Sequence, residues 1–403
     1  MSQSSLPHVM FYVQHLLGIG HVRRAAVIAR AMTKRGLTVS VVIGGMDVPN
    51  VDFGSAQVFN LPPVRATDGT FKVLLDDTGT VIDDAWRDGR RDKLLDLFAT
   101  LKPDVLLLEM FPFGRRQFRF ELIPLLEAAH KASPRPLIVS SVRDILVQKT
   151  KVERNVEMAQ LANEWFDMVL VHGDPSVATF DTTFPQYDSI KQLVRYTGYV
   201  AVPNNGIGDG LKDGAGTGEI VISMGGGAAG KPLIETALAA FPLAKTSNQT
   251  WRFLCGPNLD EETYQSFRDE APDGVIIERN RTDFPVLLKN CLVSVSQGGY
   301  NTIMDVLLAR SSAIIAPYSE SDESEQCFRA ELLQQRGLLR LIEHDRLTPA
   351  LLARSIDEMA ETKPASISGI DFSGAETTAR IIAELAGGGT PSSDNKAMEQ
   401  LEA

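Results

Sequence analysis

The feature that most constrains the fold is a repeated alternation of short apolar runs with amphipathic helical segments. The first unit reads HVMFYV (8–13), a loop to Gly20, a helical segment that stops at Gly36, and a second apolar run, TVSVVI. Apolar residues recur on one face of the helical segment at helical spacing: Val22, Ala25, Ala26, Ala29 and Met32. Strands that alternate with helices build a parallel sheet, so the sequence predicts an α/β fold.

A polar segment divides this pattern into two series. Residues 201–218 are rich in Gly, Asn and Asp and lack periodicity, which is typical of an interdomain linker. We therefore predict two Rossmann-like, doubly wound parallel-sheet domains over 1–200 and 219–366. We also predict a C-terminal helix within 367–387, for which packing back on the first domain is open. A disordered tail follows at 388–403. Two such domains face each other across a central cleft at the carboxyl ends of their strands.

Charge and hydropathy exclude several classes of protein. The net charge is −11 with acids and bases interspersed, so we expect no nucleic acid partner. No run of ~18 apolar residues is present and the N-terminus lacks the features of a signal peptide, which favours a cytoplasmic protein. Arg115, Arg116 and Arg119 stand among four phenylalanines and leave a peripheral contact with the inner face of a membrane open. A solvated helix start is the interpretation that we favour for this basic cluster.

Two glycine-rich loops follow strands of the second domain. In MGGGAAG (224–230), Gly225, Gly226 and Gly227 let backbone N–H groups approach a phosphate at a helix start. The pattern also fits a dinucleotide site, but the acidic residue expected about 20 positions later is absent, and a tight turn without a ligand stays open.

The second loop, SQGGYNTIMDVL (296–307), has the same strand–glycine–helix arrangement. Its candidate donor-binding residues are Gly298, Gly299, Tyr300, Asn301, Thr302 and Asp305. Thr302 and Asp305 are three residues apart and share a helix face, where a carboxylate can accept both hydroxyls of a ribose. The alternative is an aspartate that only stabilises the helix dipole.

Further polar candidates belong to both domains. Glu325 and Gln326 open a helix after an apolar strand and offer hydrogen bonds to sugar hydroxyls; enrichment of acids in a first helical turn is the alternative. In the first domain, LGIGHVRR places His21 at a helix start beyond Gly18 and Gly20, where an imidazole suits removal of a proton from a hydroxyl. A packing histidine stays open.

Strand ends supply the remaining first-domain candidates. Glu109 ends the run DVLLLE and is a second candidate base, or a buried structural carboxylate, and Arg115 stands on the acceptor side. The sequence contains no D-x-D triplet, so the usual carboxylate holder of a donor-bound Mg²⁺ is missing. We therefore expect neither a metal nor a cofactor, with helix ends neutralising a leaving diphosphate.

Together these motifs resemble the family 28, MurG-like glycosyltransferases. The resemblance rests on LGIGHVRRAAVIARAM, MGGGAAG, SVSQGGYNTIMDVL and PYSESDESEQCFRAELLQQRGL, spans roughly residues 8 to 385, and looks strongest to a group of predicted bacterial transferases without assigned substrates. It implies a GT-B fold, a UDP-type donor in the second domain and an acceptor in the first. It places His21 near the reacting centre, Asp305 on the ribose, and Glu325 with Gln326 on the donor sugar.

The resemblance implies a hexosyltransferase-type enzyme (EC 2.4). The expected reaction moves a sugar from a nucleotide-diphosphate donor to an acceptor hydroxyl, without metal and with inversion; the acceptor, whether glycan, lipid-linked or small molecule, is not indicated. Two alternatives stay open: a UDP-sugar 2-epimerase, which shares the architecture, and a non-catalytic subunit that binds the donor or recruits the acceptor.

Overall fold

The computed structural model describes most of the chain. The described residues are 6–16, 19–48, 51–67, 71–146, 152–201, 214–224, 230–256, 259–317, 324–364 and 366–387. Four predicted site residues, Gly18, Gly225, Gly226 and Gly227, lie outside these ranges, as does the tail from residue 388.

The N-terminal half is built on a parallel sheet of seven strands. These are β1 (His8–Val13), β2 (Thr38–Ile43), β3 (Gln57–Asn60), β6 (Val105–Glu109), β7 (Leu137–Arg143), β8 (Met168–His172) and β9 (Val194–Tyr196), in the spatial order β3-β2-β1-β6-β7-β8-β9. A small antiparallel pair, β4 (Arg65–Ala66) and β5 (Leu74–Leu75), stands apart. The central strands are apolar along their length because helices cover both sheet faces.

Four helices cover this sheet: α1 (Gly20–Lys34), α2 (Asp84–Leu101), α3 (Arg119–Lys131) and α4 (Val152–Trp165). Helix α2 begins conventionally, since the carboxylate of Asp83 accepts a hydrogen bond from the backbone N–H of Trp86. Helix α1 has no side-chain cap among the described residues and no acid in its first turn. Its first N–H groups are therefore left for another partner.

The C-terminal half repeats the design with six parallel strands. These are β10 (Ile220–Ser223), β11 (Trp251–Cys255), β12 (Val275–Arg279), β13 (Val293–Ser296), β14 (Ala313–Ile315) and β15 (Arg340–Leu341), ordered β12-β11-β10-β13-β14-β15. Its helices are α5 (Lys231–Ala240), α6 (Glu261–Asp269), α7 (Phe284–Asn290), α8 (Tyr300–Ala309), α9 (Ser324–Gln335) and α10 (Pro349–Ala360). The predicted α/β fold with two doubly wound sheets is confirmed.

The last helix, α11 (Gly374–Ala386), returns to the first sheet. Its buried residues Ala375, Ala379, Ile381 and Ile382 share one core with apolar residues of α1, β1 and β2. The backbones come close at the helix start, where a Cβ on Gly374 would lie 2.4 Å from the carbonyl oxygen of Gly198. Only glycine allows this approach.

An apolar contact joins the two halves beside the cleft. Tyr300, Ile303 and Met304 of α8 pack in one cluster with Tyr199 and Val177 of the N-terminal half. Strand β9 stops at Tyr196, because Gly198 adopts a left-handed φ of 83° that turns the chain. This turn directs Tyr199 towards α8.

Candidate functional site

The cleft contains a buried carboxylate bound by an imidazole and two guanidinium groups. Glu109 ends β6 and His21 begins α1; Nδ1 of His21 lies 2.6 Å from Oε1 of Glu109. Arg24 donates from Nη2 to the same oxygen at 2.5 Å, and Arg115 donates from Nη2 to Oε2 at 3.2 Å. The structure thus brings together three of the predicted residues, His21, Glu109 and Arg115.

The charges in this cluster decide which nitrogen of His21 is basic. Burial alone would raise the pKa of Glu109, but His21, Arg115 and Arg24 outweigh it and hold that pKa well below its usual range. An ionised carboxylate can only accept, so Nδ1 of His21 carries the hydrogen and Nε2 keeps its lone pair.

His21 is neutral at physiological pH. Although 20% of its side chain is exposed, burial lowers its pKa to about 3, with Glu109 opposing the shift and Arg115 adding to it. A neutral imidazole oriented by a carboxylate can take a proton from a hydroxyl and is then stabilised as a cation by that carboxylate.

The loop after β6 fixes Arg115 against Glu109. Met110 and Arg115 both adopt left-handed backbone conformations, with φ of 65° and 61°, which are uncommon for residues other than glycine. Phe111 and Phe113 within the loop are buried and anchor it. Such a conformation persists only when the surroundings fix it, and it is a feature that clusters at functional sites.

The basic cluster at the start of α3 is largely neutralised. Arg119 binds Glu157 at 2.6 Å and Arg116 lies 3.7 Å from the same carboxylate. Phe118 is fully buried beneath them, like Phe111 and Phe113 in the preceding loop. The aromatic side chains therefore do not form an exposed apolar surface here, which agrees with the favoured interpretation of a solvated helix start.

The predicted glycines before α8 differ in their physical role. Gly298 has a φ of 78°, and a Cβ there would lie 2.5 Å from Cγ2 of Ile315, so the turn itself requires glycine. At Gly299 a Cβ would meet no atom of the described residues within 4 Å. Neither the backbone nor the packing of the described residues demands Gly299, which is the N-cap residue of α8, a position where glycine is common.

The backbone N–H groups at the start of helix α8 have no side-chain acceptor among the described residues. Among the described residues no side chain caps it, and its first turn has no acidic residue; helix α5 begins in the same way after Gly230. The free N–H groups and the positive end of the helix dipole form an environment that suits a phosphate. Thr302 lies in this first turn and is half-buried.

Asp305 lies one turn into α8 as a carboxylate without a hydrogen-bond partner in the described part of the chain. Burial raises its pKa to about 7, and the charge of Arg23 only partly opposes this shift. The side chain is half-buried, so it has lost part of its hydration without gaining a hydrogen bond in return.

Helix α8 also connects directly with the His21 cluster. Nδ2 of Asn301 donates to the carbonyl of Gly20 at 3.4 Å. The hydroxyl of Tyr300 donates to the carbonyl of His172 at 3.3 Å and accepts from the N–H of Val200 at 3.2 Å. The guanidinium groups of Arg24 and Arg329 lie 5.5 and 5.3 Å from the centroid of the Tyr300 ring.

The third predicted element, α9, reaches the first domain through ion pairs. The carboxylate of Glu325 is 7% exposed and lies 2.6 Å from Nη2 of Arg143 and 2.8 Å from Nη2 of Arg329. Arg329 also donates to Asp144 at 2.8 and 3.2 Å. Gln326, next to Glu325, is half-buried. Glu325 therefore stands at the domain boundary with both oxygens occupied by arginines.

Sequence reasoning missed several residues of this cleft, namely His15, Arg24, Arg143, Asp144 and Arg329. Helical spacing offered a signal for two of them, since Arg24 is three residues from His21 and Arg329 four from Glu325. His15 is 4% exposed after β1, and its Nδ1 has no hydrogen-bond partner in the described residues. Nothing in the sequence around His15 distinguishes it from a core histidine.

Neither a metal cluster nor a membrane span emerges from the described residues. Within those ranges, no group of three His, Cys, Asp or Glu side chains could hold a metal ion. None of the helices described combines the length and apolar character needed to cross a bilayer.

Comparison with known proteins identifies the second half. Residues 220–385 match the model of the glycosyltransferase family 28 C-terminal domain. A glycosyltransferase of uncharacterised specificity, MK0977 of Methanopyrus kandleri, is 25% identical over 165 residues, covering 41% of this chain and 44% of its own length. The matched range contains α8, Asp305, Glu325 and Gln326.

Solved structures extend the likeness to both domains. The calicheamicin glycosyltransferase CalG4 has a TM-score of 0.59 at 16% identity, covering 99% of this chain and 98% of its own. MurG of Acinetobacter baumannii has a TM-score of 0.56 at 16% identity, with coverage of 95% and 99%. The fold is GT-B, as predicted. The family model, the curated relative and these solved structures are all of glycosyltransferases.

Proposed function

We propose that the protein transfers a sugar from a nucleoside-diphosphate donor, a UDP-sugar, to the hydroxyl of an acceptor. The observation that carries this proposal is the contact of the two half-sites. The His21–Glu109 pair of the first domain lies beside the uncapped start of α8, which Asn301 links to Gly20. A base and a diphosphate site on opposite walls of one cleft are the elements that direct glycosyl transfer requires.

In the proposed reaction, Nε2 of His21 accepts the proton of the acceptor hydroxyl as its oxygen attacks the anomeric carbon. The bond from that carbon to the diphosphate breaks, and the diphosphate takes the electron pair. Glu109 stabilises the imidazolium that forms. A single displacement with one base inverts the anomeric configuration, and NMR of the product would show a retained configuration if this step is wrong.

The second domain would bind the nucleotide-sugar donor. The N–H groups at the start of α8, with those at the start of α5, would stabilise the negative charge of the leaving diphosphate. Asp305 would accept the ribose hydroxyls, with Glu325 and Gln326 near the donor sugar. Because helix ends perform the neutralisation, we expect transfer to continue in the presence of EDTA.

Where the protein acts is part of the same proposal. We infer a cytoplasmic enzyme, since nucleotide-sugars are made and used there. Arg116 and Arg119 already bind Glu157, so this basic cluster does not favour membrane binding by itself. Contact with the inner face of a membrane would then depend on an acceptor held in the bilayer.

Calorimetric titration of UDP, GDP, TDP and NAD without metal tests the proposal, with wild type and Asp305→Ala compared. Selective binding of UDP that falls at least tenfold in the variant is expected. Binding of NAD, or of no nucleotide, would contradict the donor site. Incubation with UDP-sugars alone separates the epimerase, which converts the donor without an acceptor. Donor binding without turnover against any acceptor would indicate a non-catalytic subunit.

A further inference from the structure

The side chain of Tyr300 reaches from the second domain into the first. Tyr300 is the first residue of α8 and is 8% exposed. Its hydroxyl donates to the carbonyl oxygen of His172 at 3.3 Å and accepts from the N–H of Val200 at 3.2 Å. His172 ends β8 and Val200 follows β9, so the hydroxyl bridges the carboxyl ends of two neighbouring strands. This side chain therefore fixes the start of α8 to the rim of the first sheet.

The aromatic ring of Tyr300 contacts the other half of the candidate site. The guanidinium groups of Arg24 and Arg329 lie 5.5 and 5.3 Å from the ring centroid, where the negative face of the ring attracts them. Arg24 is 3% exposed, and its Nη2 donates to Glu109, the carboxylate that binds His21. A continuous series of contacts therefore joins the start of α8 to the imidazole through Tyr300, Arg24 and Glu109.

These contacts occupy the side chain of Tyr300, so its share of the proposed donor site is its backbone. The hydroxyl has a partner on each side, and burial raises the pKa of the phenol, which stays neutral. Ile303 donates the first hydrogen bond of the helix, to Gly299 at 3.0 Å. The N–H groups of Tyr300, Asn301 and Thr302 come before that bond and face the diphosphate site. The side chain of Tyr300 thus serves the first domain while its backbone serves the second.

We propose that Tyr300 is a positioning residue, which aligns the base His21 with the donor site at the start of α8. This inference rests on the proposed function, which places the base in the first domain and the diphosphate on α8. The hydroxyl sets the position of α8 against the first sheet, and the ring holds Arg24 and, through it, Glu109. A misplacement of about 1 Å between reacting groups can cost about a hundredfold in rate. Tyr300 therefore controls the rate of transfer and leaves the affinity for the donor unchanged.

Two substitutions in the full chain separate the two parts of this side chain. Tyr300→Phe removes the hydroxyl and keeps the ring beside Arg24, whereas Tyr300→Leu removes both. In calorimetry, both variants should bind UDP within about twofold of wild type, because the backbone N–H groups of α8 remain. Tyr300→Phe conserves the packing and should fold even where Tyr300→Leu does not.

Initial rates give the first readout, with hydrolysis of the UDP-sugar measured when no acceptor is supplied. Tyr300→Phe should lower kcat about ten- to a hundredfold at an unchanged KM for the donor. Tyr300→Leu should lower kcat further, because Arg24 then loses its aromatic partner as well. A substitution that only weakens the folded state would lower the unfolding temperature and leave kcat of the folded protein as it is.

NMR of protein labelled with ¹⁵N at its six histidines gives a second readout, which needs no acceptor. His21→Asn assigns the signals of His21 by their absence. Nδ1 of His21 should carry the hydrogen in wild type and in Tyr300→Phe. In Tyr300→Leu, Arg24 and Glu109 are held less firmly, so the shifts of the two ring nitrogens should move towards each other as both tautomers appear.

Tyr264→Leu is the matched control for both readouts. Tyr264 is also 8% exposed and has two guanidinium groups, of Arg279 and Arg268, at 4.0 and 5.9 Å from its ring centroid. It lies on α6 and contacts none of the residues of the proposed base. Tyr264→Leu should therefore lower the unfolding temperature without changing the ¹⁵N shifts of His21 or kcat.

Three results would overturn the inference. A fall in UDP affinity as large as the fall in kcat would make Tyr300 a support of the donor site alone. Unchanged kcat in both variants would reduce Tyr300 to a stabilising contact between the domains. Shifts of His21 in Tyr300→Leu that equal those of wild type would break the link through Arg24, and they decide the matter where no turnover is detected. If UDP does not bind to wild type, the proposed function fails, while these shifts still test the link from Tyr300 to His21.

Discussion

Replacing Asp305 by asparagine should stabilise the protein while it weakens donor binding. The carboxylate has a pKa of about 7 in the folded protein, raised by burial from a value near 3.8 in the unfolded chain. Because the folded state binds its proton more tightly, this group favours folding at low pH, and that contribution is lost as pH rises through 7. The asparagine of the variant cannot ionise and has no such loss.

The size of the effect follows from the same values. At pH 5, about two pH units below its pKa in the folded state, the Asp305 carboxyl is protonated in the folded protein. At pH 8 it is ionised in both the folded and the unfolded state. The wild type should therefore lose up to about 2.7 kcal/mol of unfolding free energy between pH 5 and pH 8 relative to Asp305→Asn. Because the side chain is only half-buried, solvent screening reduces this difference in unfolding free energy, and we expect about 1–2 kcal/mol.

Urea unfolding at pH 5, 6, 7 and 8 measures this difference, with Asp188→Asn as the matched control because the Asp188 side chain is 93% exposed. The free energy of unfolding of Asp305→Asn should rise relative to wild type with increasing pH, and the control should run parallel to wild type. If the free energy of unfolding of Asp305→Asn instead changes with pH as that of wild type does, Asp305 does not titrate as a buried group. The physical argument for its binding to ribose then fails.

Three further predictions concern the cleft. Affinity for UDP should rise from pH 5.5 to 8 in wild type and stay flat in Asp305→Asn, because ribose hydroxyls bind the ionised form; calorimetry would show proton release on binding near pH 6. Glu109→Gln should lower kcat about 10²–10⁴-fold at similar donor affinity, as measured by initial rates. The pH profile of wild-type kcat/KM should show no ionisation of His21 between pH 5 and 8. Gly298→Ala should unfold at lower temperature in a calorimetric scan. Gly299→Ala, which adds no clash but changes the N-cap of α8, should lose less stability and bind UDP less tightly.

Each of these has a contrary result that is easy to recognise. Parallel pH profiles for UDP binding in both proteins would remove Asp305 from the ribose. A kcat change below about threefold in Glu109→Gln would leave His21 without its orienting group in catalysis. Unchanged UDP affinity in Gly299→Ala, with Gly298→Ala as the control for a purely structural glycine, would place the diphosphate away from the α8 start.

The sequence predicted the fold well because its signals are local and periodic. The strands β1 and β2 have the bounds of their apolar runs, β6 lies within DVLLLE, and α1 and α9 lie where the patterns place them. Strand β3 was missed, since Gln57–Asn60 at the sheet edge is mostly exposed and has no apolar run. Strand β15 is only two residues long, too short for periodicity to indicate it.

The site was harder to predict because its main contacts join distant parts of the chain. His21 and Glu109 were each predicted separately, but their pairing depends on the parallel sheet that places the end of β6 beside the start of α1. The pairs of Arg329 with Asp144 and of Arg143 with Glu325 cross about 180 residues and both domains. No spacing rule applies over such a separation, so those arginines had no signal as partners.

The return of α11 to the first sheet has a consequence for how the protein is made. The N-terminal sheet is synthesised first, yet part of its core, including Ala379, Ile381 and Ile382, comes from the last helix of the chain. During translation, which proceeds at about 5–20 residues per second, apolar residues of α1 stay exposed until the second half of the chain, through α11, has left the ribosome. The first domain can complete its core only after the second has been made, so a nascent chain stalled before residue 374 would present a sticky surface to chaperones and proteases.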